Sequence, residues 1–140
     1  MTADEIIAKL DLKPHPEGGH YKETWVADNA GRACGTAIYF LLKAGERSHW
    51  HKVDAVEIWH FYAGAPLILS ISETKAGPAK DHILGPDLSA GQSPQLIVQT
   101  DHWQAARSTG DLTLVGCTVS PGFQFEGFTL APPDFDIPKT

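Results

Sequence analysis

The feature that most constrains this chain is its rhythm. From His20 onward, short runs rich in β-branched and aromatic residues alternate with small clusters of glycine, proline, aspartate and asparagine. Such runs favour a pleated, half-buried surface, and the clusters between them reverse the chain. The spacing predicts strands over 20–27, 35–43, 48–53, 56–62, 67–73, 80–84, 95–99, 103–107, 112–120 and 127–130. Only one helix is expected. Thr2-Ala3-Asp4-Glu5 has the capping-box spacing, Ile6, Ile7 and Leu10 give an apolar stripe, and Lys13-Pro14 stops it, because the residue before a proline avoids the helical region. No repeat or linker divides the 140 residues. The expectation is one all-β domain over 1–140, a sandwich or barrel with one short N-terminal helix.

Composition narrows the partners. A formal net charge of -6 with only 11 basic residues argues against nucleic acid or an anionic membrane as the main partner. No apolar run approaches the roughly 20 residues a membrane span needs. The first residues, Met1-Thr2-Ala3-Asp4-Glu5, show no basic and apolar signal segment. Cys34 and Cys117 are too few for a disulfide framework, and each is expected as a buried free thiol. The reading is a cytoplasmic protein that binds a small molecule.

His49-Trp50-His51 lies in the third predicted strand. Alternate side chains of a strand share a face, so His49 and His51 are expected to point the same way, with Cα atoms about 6.6 Å apart. Residues 52–56 are long enough to turn the chain and bring Glu57 beside them. Two imidazoles and a carboxylate are donors that a divalent transition metal takes. The plainer reading leaves the histidines on a half-wet strand and Glu57 solvated. His60, three residues from Glu57, is expected on the opposite face.

These residues carry a resemblance. Gly45, His49, His51, Glu57 and Gly64 resemble the first cupin motif: glycine, H-x-H, glutamate, then glycine. Longer strings are similar to the small single-domain cupins grouped as a domain of unknown function. They are Leu12-Lys13-Pro14-His15-Pro16-Glu17-Gly18-Gly19-His20-Tyr21, Thr36-Ala37-Ile38-Tyr39-Phe40-Leu41-Leu42, Glu57-Ile58-Trp59-His60-Phe61-Tyr62-Ala63-Gly64, Trp103-Gln104-Ala105, and Val115-Gly116-Cys117-Thr118-Val119-Ser120-Pro121-Gly122-Phe123. The resemblance implies a cupin-type jelly-roll barrel, commonly dimeric, with a ligand site inside; it supplies no reaction. The second cupin motif, P-x-G-x-x-H, is replaced by Gln99-Thr100-Asp101-His102-Trp103-Gln104, with Gln104 where the histidine would stand. An amide oxygen is a weaker ligand than imidazole for first-row metals. The implied metal set is therefore His49, His51 and Glu57 with Gln104 as a weak fourth, for one Fe, Mn, Ni or Zn ion.

Further candidates surround that set. Glu17 and Tyr21 belong to a segment whose two prolines and two glycines fix a non-regular path, either as a rigid turn or lying over the barrel mouth. Tyr39, Tyr62 and Trp103 can floor a ligand or serve as core. Arg47 and Arg107 can meet a carboxylate or phosphate, or be ordinary surface arginines. Three functions stay open: a metal-assisted enzyme acting on a sugar-like, carbonyl or enediol substrate; a metal-free epimerase with His51 as base and Tyr62 as acid, assisted by Glu57; and a barrel that binds a ligand unchanged. A homodimer is expected, because Tyr21, Trp25 and the apolar 35–42 run exceed what one layer needs to cover both faces.

Overall fold

The computed structural model describes residues 1–140. Helix α1 (Ala3–Leu10) opens on Thr2, whose side chain accepts from Glu5 N–H while the Glu5 carboxylate accepts from Thr2 N–H. Asp11, in the left-handed conformation, ends it. The strands are β1 (Lys13–Pro14), β2 (His20–Val26), β3 (Thr36–Lys43), β4 (Arg47–Val53), β5 (Val56–Gly64), β6 (Leu67–Ser72), β7 (Lys80–Leu84), β8 (Gln95–Val98), β9 (Trp103–Ser108), β10 (Leu112–Ser120) and β11 (Phe128–Leu130). All ten predicted strands are present; the two-residue β1 is additional.

The strands form two antiparallel sheets, ordered β1-β2-β3-β10-β5-β8 and β11-β4-β9-β6-β7. This is the all-β barrel expected from the cadence, in the jelly-roll form that the resemblance implied. Between the sheets at one end lies the main core, with Phe40, Leu42, Trp59, Leu67, Leu69 and Val115 all at most 1% exposed. Alternation along β5 puts Glu57, Trp59 and Phe61 inward and Ile58, His60 and Tyr62 outward. Strand β3 is apolar on both faces because α1 packs on its outer side, Ile6 and Leu12 closing over Leu41. The helix therefore covers part of the surface that the sequence left open for a partner.

The chain beyond β11 crosses the outer face of the second sheet. Ile137 is 2% exposed and joins Trp50, Trp103 and Ala105 in a separate core. Cys117 is buried as expected, but Cys34 is exposed, in a turn held by Asn29 rather than in a strand.

Candidate functional site

The open end of the barrel holds a cavity of about 130 Å³. Its polar wall carries His15, Glu17, His51, Glu57 and Cys117; Phe123, Phe125, Phe128, Val53 and Val119 form much of the rest. Three local devices build it.

The first is a β-bulge in β4. Ser48 pairs with Ala106 and His51 with Gln104, so three steps on β4 match two on β9. One extra residue reverses the alternation. Ser48 and His51 face inward, whereas His49 and Trp50 both turn to the outer side. The His49 ring bonds the Pro132 carbonyl through Nε2 at 2.8 Å and the Arg47 guanidinium through Nδ1 at 2.8 Å. The expectation that His49 and His51 share a face is therefore corrected: a bulge separates them.

The second device is the proline- and glycine-bounded segment before β2. Gly18 has φ +111°, and a Cβ there would overlap the Arg47 carbonyl oxygen, so only glycine lets this loop lie against β4. The Glu17 carbonyl accepts from His49 N–H at 2.7 Å, taking up an amide at the bulge. This docking puts the Glu17 carboxyl inside, bonded by Ser48 Oγ and 3.1 Å from His51 Nε2. Of the two readings of this segment, the structure supports the one that covers the barrel mouth.

The third device fixes Glu57. Trp59 Nε1, which can only donate, bonds Gln104 Oε1 at 2.8 Å, so the amide must present Nε2 to Glu57 Oε1, also at 2.8 Å. Gln104 thus stands where the sequence put it, but as a donor to a carboxylate.

Proton positions follow from these bonds. His51 Nδ1 lies 2.7 Å from the His49 carbonyl, which can only accept, so Nδ1 carries the proton and Nε2 is bare. Glu17 Oε2 lies 3.1 Å from this bare nitrogen. His15 Nδ1 accepts from Glu17 N–H at 3.1 Å, so it too is bare, and its 3.3 Å approach to Glu17 Oε1 is no ion pair. Burial sets the acidities. It raises Glu17 from 4.5 to about 8 against the Ser48 bond, and raises Glu57 from 4.5 to about 7, helped by the nearby Glu17 and opposed by His51. It lowers His15 from 6.5 to about 4 and lowers His51 as well. Burial and both neighbouring carboxyls push the Cys117 thiol up.

The other sequence candidates divide by face. Tyr21 lines the cavity, its ring 4.5 Å from His15. Tyr39 and Tyr62 instead face each other on the outer side of the first sheet, at 6.2 Å, because both alternate with inward residues. Trp103 is buried on the outer side of the second sheet against Phe135, and Arg47 is exposed on that side. Tyr62 as a catalytic acid, and Tyr39, Trp103 and Arg47 as ligand contacts, are thereby corrected. His60 faces out as expected and bonds Thr118 Oγ1. Sequence reasoning missed His15, Ser48, Cys117 and the three phenylalanines 123, 125 and 128. Cys117 was readable from alternation in β10; the phenylalanines follow no strand period.

Comparison with known proteins gives the family. A model described as Cupin superfamily (DUF985) matches residues 4–131. The chain belongs to that cupin family. A crystal structure of a protein from Shewanella oneidensis is 38% identical, covering 94% of this chain and 85% of its own, with TM-score 0.88. A hypothetical protein from Leishmania major is 28% identical, covering 94% and 88%, with TM-score 0.85. Oxalate decarboxylase from Bacillus subtilis is 12% identical at TM-score 0.67, over 86% of this chain and 30% of that one, a likeness of fold. No curated protein matches.

The cupin fold implies a metal, and the set expected from the sequence does not fit one. His49 is turned away to Pro132 and the Gln104 oxygen is committed to Trp59, so only His51 and Glu57 of that set reach the cavity. The expected set of His49, His51, Glu57 and Gln104 is not assembled. Nor does any helix have the length and apolarity to cross a membrane.

Proposed function

We propose that this cupin is a small-molecule enzyme that works by metal-independent acid–base chemistry, moving a proton at a carbon beside a carbonyl. One observation carries the reading: two carboxyls and a neutral imidazole close on one largely apolar cavity, with Glu17 Oε2 3.1 Å from the bare Nε2 of His51. Glu57, near 7, is suited to take the proton as a carboxylate. Glu17, near 8 and backed by His51, is suited to hold a proton on the developing enolate oxygen. Glu57 then delivers the proton to the neighbouring carbon while Glu17 passes a proton between the two oxygens, so the step is an isomerisation through an enediol with no net gain or loss of protons or electrons. The cavity of about 130 Å³ resembles in size one that holds benzene, which favours a compact carbonyl or enediol over a sugar nucleotide.

The test is proton exchange. Compact hydroxy- and amino-carbonyl compounds are incubated with the protein in deuterated buffer and followed by NMR. Catalysed deuterium uptake beside the carbonyl is expected, falling at least ~100-fold in Glu57→Gln. Its rate should peak between pH 7 and 8, since Glu57 must be ionised and Glu17 protonated. Binding without exchange would instead support a barrel that carries its ligand unchanged.

We further propose a cytoplasmic homodimer joined through the outer face of the first sheet. Trp25, Tyr62 and Ile97 remain more than half exposed, on strands that α1 does not cover, and such patches favour burial against a second copy. Two free cysteines suit a reducing compartment. Light scattering should give roughly twice the 15.2 kDa chain mass, and Trp25→Asp should halve it. A wild-type monomer at micromolar concentration rejects the interface.

A further inference from the structure

The charge lining the cavity is one-sided. Glu17 and Glu57 lie on its inner wall, the Glu17 side chain 9% exposed and Glu57 7%, and Glu23 is exposed at the mouth. No lysine or arginine lines it. The two histidines are neutral, His15 accepting at Nδ1 and His51 donating from Nδ1, and bring no positive charge. A buried carboxyl either keeps its proton, as Glu17 does near neutral pH, or needs a cation, and the chain supplies none to Glu57 once it ionises.

The remaining wall is aromatic. Phe125 and Phe128 meet edge to face at 6.0 Å, Phe123 lies 5.0 Å from Phe125, and Phe128 lies 5.5 Å from His51. The Tyr21 ring continues this surface through His15. Aromatic faces carry negative potential and attract an organic cation that has shed its water. An anion would lose its hydration beside the Glu57 carboxylate and the exposed Glu23, with no positive group to replace it. A neutral ligand would fill the space and leave the Glu57 carboxylate uncompensated.

We propose that the natural ligand of this cavity carries a compact organic cation, an alkylammonium or guanidinium group, seated between Glu57 and Glu17 against the phenylalanine wall. The inference rests on the cavity being the ligand site of the proposed function, and it narrows the substrate to a small amino-carbonyl compound. It explains why Arg47 and Arg107 face away from the cavity: a cationic ligand needs no cationic protein group.

The experiment compares three probes of similar shape on the full chain: tetramethylammonium, tert-butanol and pivalate. Binding is read from amide NMR shifts, with melting temperatures confirming folded variants. Tetramethylammonium should shift the amides of His51, Cys117 and Phe128 and bind at least about tenfold more tightly than the other two, the size that a desolvated cation–aromatic contact supports. Glu57→Gln, which preserves shape and the Gln104 bond, should weaken it about tenfold. Glu23→Gln at the exposed mouth, which leaves the core untouched, should weaken it about two- to threefold, in keeping with a screened charge. Pivalate binding as tightly as the cation, or no cation binding to a folded protein, overturns the proposal. So does displacement of tetramethylammonium by equimolar Ni²⁺, which would assign the negative potential to a metal. Deuterium exchange separates the two readings: cation binding without exchange leaves this inference and sinks the acid–base one, whereas exchange confined to neutral or anionic carbonyls does the reverse.

Discussion

Glu17→Gln is expected to make the protein more stable than wild type above neutral pH, by about 2–4 kcal/mol at pH 8.5. Moving a carboxyl from 4.5 to about 8 corresponds to on the order of 4–5 kcal/mol between its two protonation states. The folded carboxyl holds its proton more tightly than the unfolded one. Its contribution is therefore complete below pH 4.5 and is lost as pH rises, disappearing once pH passes about 8. The histidines act in the opposite sense: with folded values below 6.5, they cost stability only as pH falls below 6.5. Between pH 6.5 and 8 the carboxyls act alone, and Glu17 accounts for about 2 kcal/mol of decline there. For a chain of this length that is a fall in Tm of about 6–10 °C. The glutamine variant has nothing to ionise, and its amide can donate to the bare His51 Nε2, which lies 3.1 Å from the Glu17 carboxyl in the wild type. Its melting curve should be nearly flat across that window, with a small residual slope from Glu57. Thermal melts in half-unit pH steps decide this; parallel curves for wild type and variant would mean that Glu17 is not the buried acid described here.

What the sequence made legible was periodic, and what it concealed was aperiodic. The strands were readable because glycine and proline mark almost every turn. Glu57 and Gln104 followed from alternation in ordinary strands, and each lies where that alternation put it. His49 failed because a bulge carries no residue signature: Ser48-His49-Trp50-His51 reads as regular extension, yet one unpaired residue sends His49 to Pro132 and Arg47. Tyr39, Tyr62 and Trp103 were misread for a different reason. Aromatic identity suggests burial without naming a face, and both sheets carry apolar layers outside as well as inside. Glu17 was visible only as a carboxylate on a constrained path. Its role depends on Gly18 docking against β4, a long-range contact that no local pattern encodes.

Ending the chain at Leu130 should cost about 3–5 kcal/mol of stability, although the segment removed contains no helix or strand. Residues 131–140 carry four side chains that seal the outer face of the second sheet. Ile137 is 2% exposed and Ala131 6%, Phe135 stacks 5.5 Å from Trp103, and Asp136 Oδ1 accepts from Trp50 Nε1 at 2.8 Å. Pro138 adds a backbone bond, accepting from Ala79 N–H at 2.8 Å. Without them two tryptophans that are now 3% and 5% exposed would face water, and the His49 ring would lose its Pro132 carbonyl. That second loss reaches the cavity, because His49 anchors the outer side of the bulge whose inner side presents His51. Truncation is therefore expected to lower Tm by about 10 °C or more, to shift tryptophan emission to the red, and to weaken cavity binding as well. Ile137→Ala should reproduce about 2–4 kcal/mol of the loss through the cavity it leaves, whereas Lys139→Ala, which breaks only an exposed pair with Asp81, should cost under about 1 kcal/mol. A truncated protein melting within about 2 °C of wild type, with unchanged emission, would show that the tail lies on the sheet without holding it.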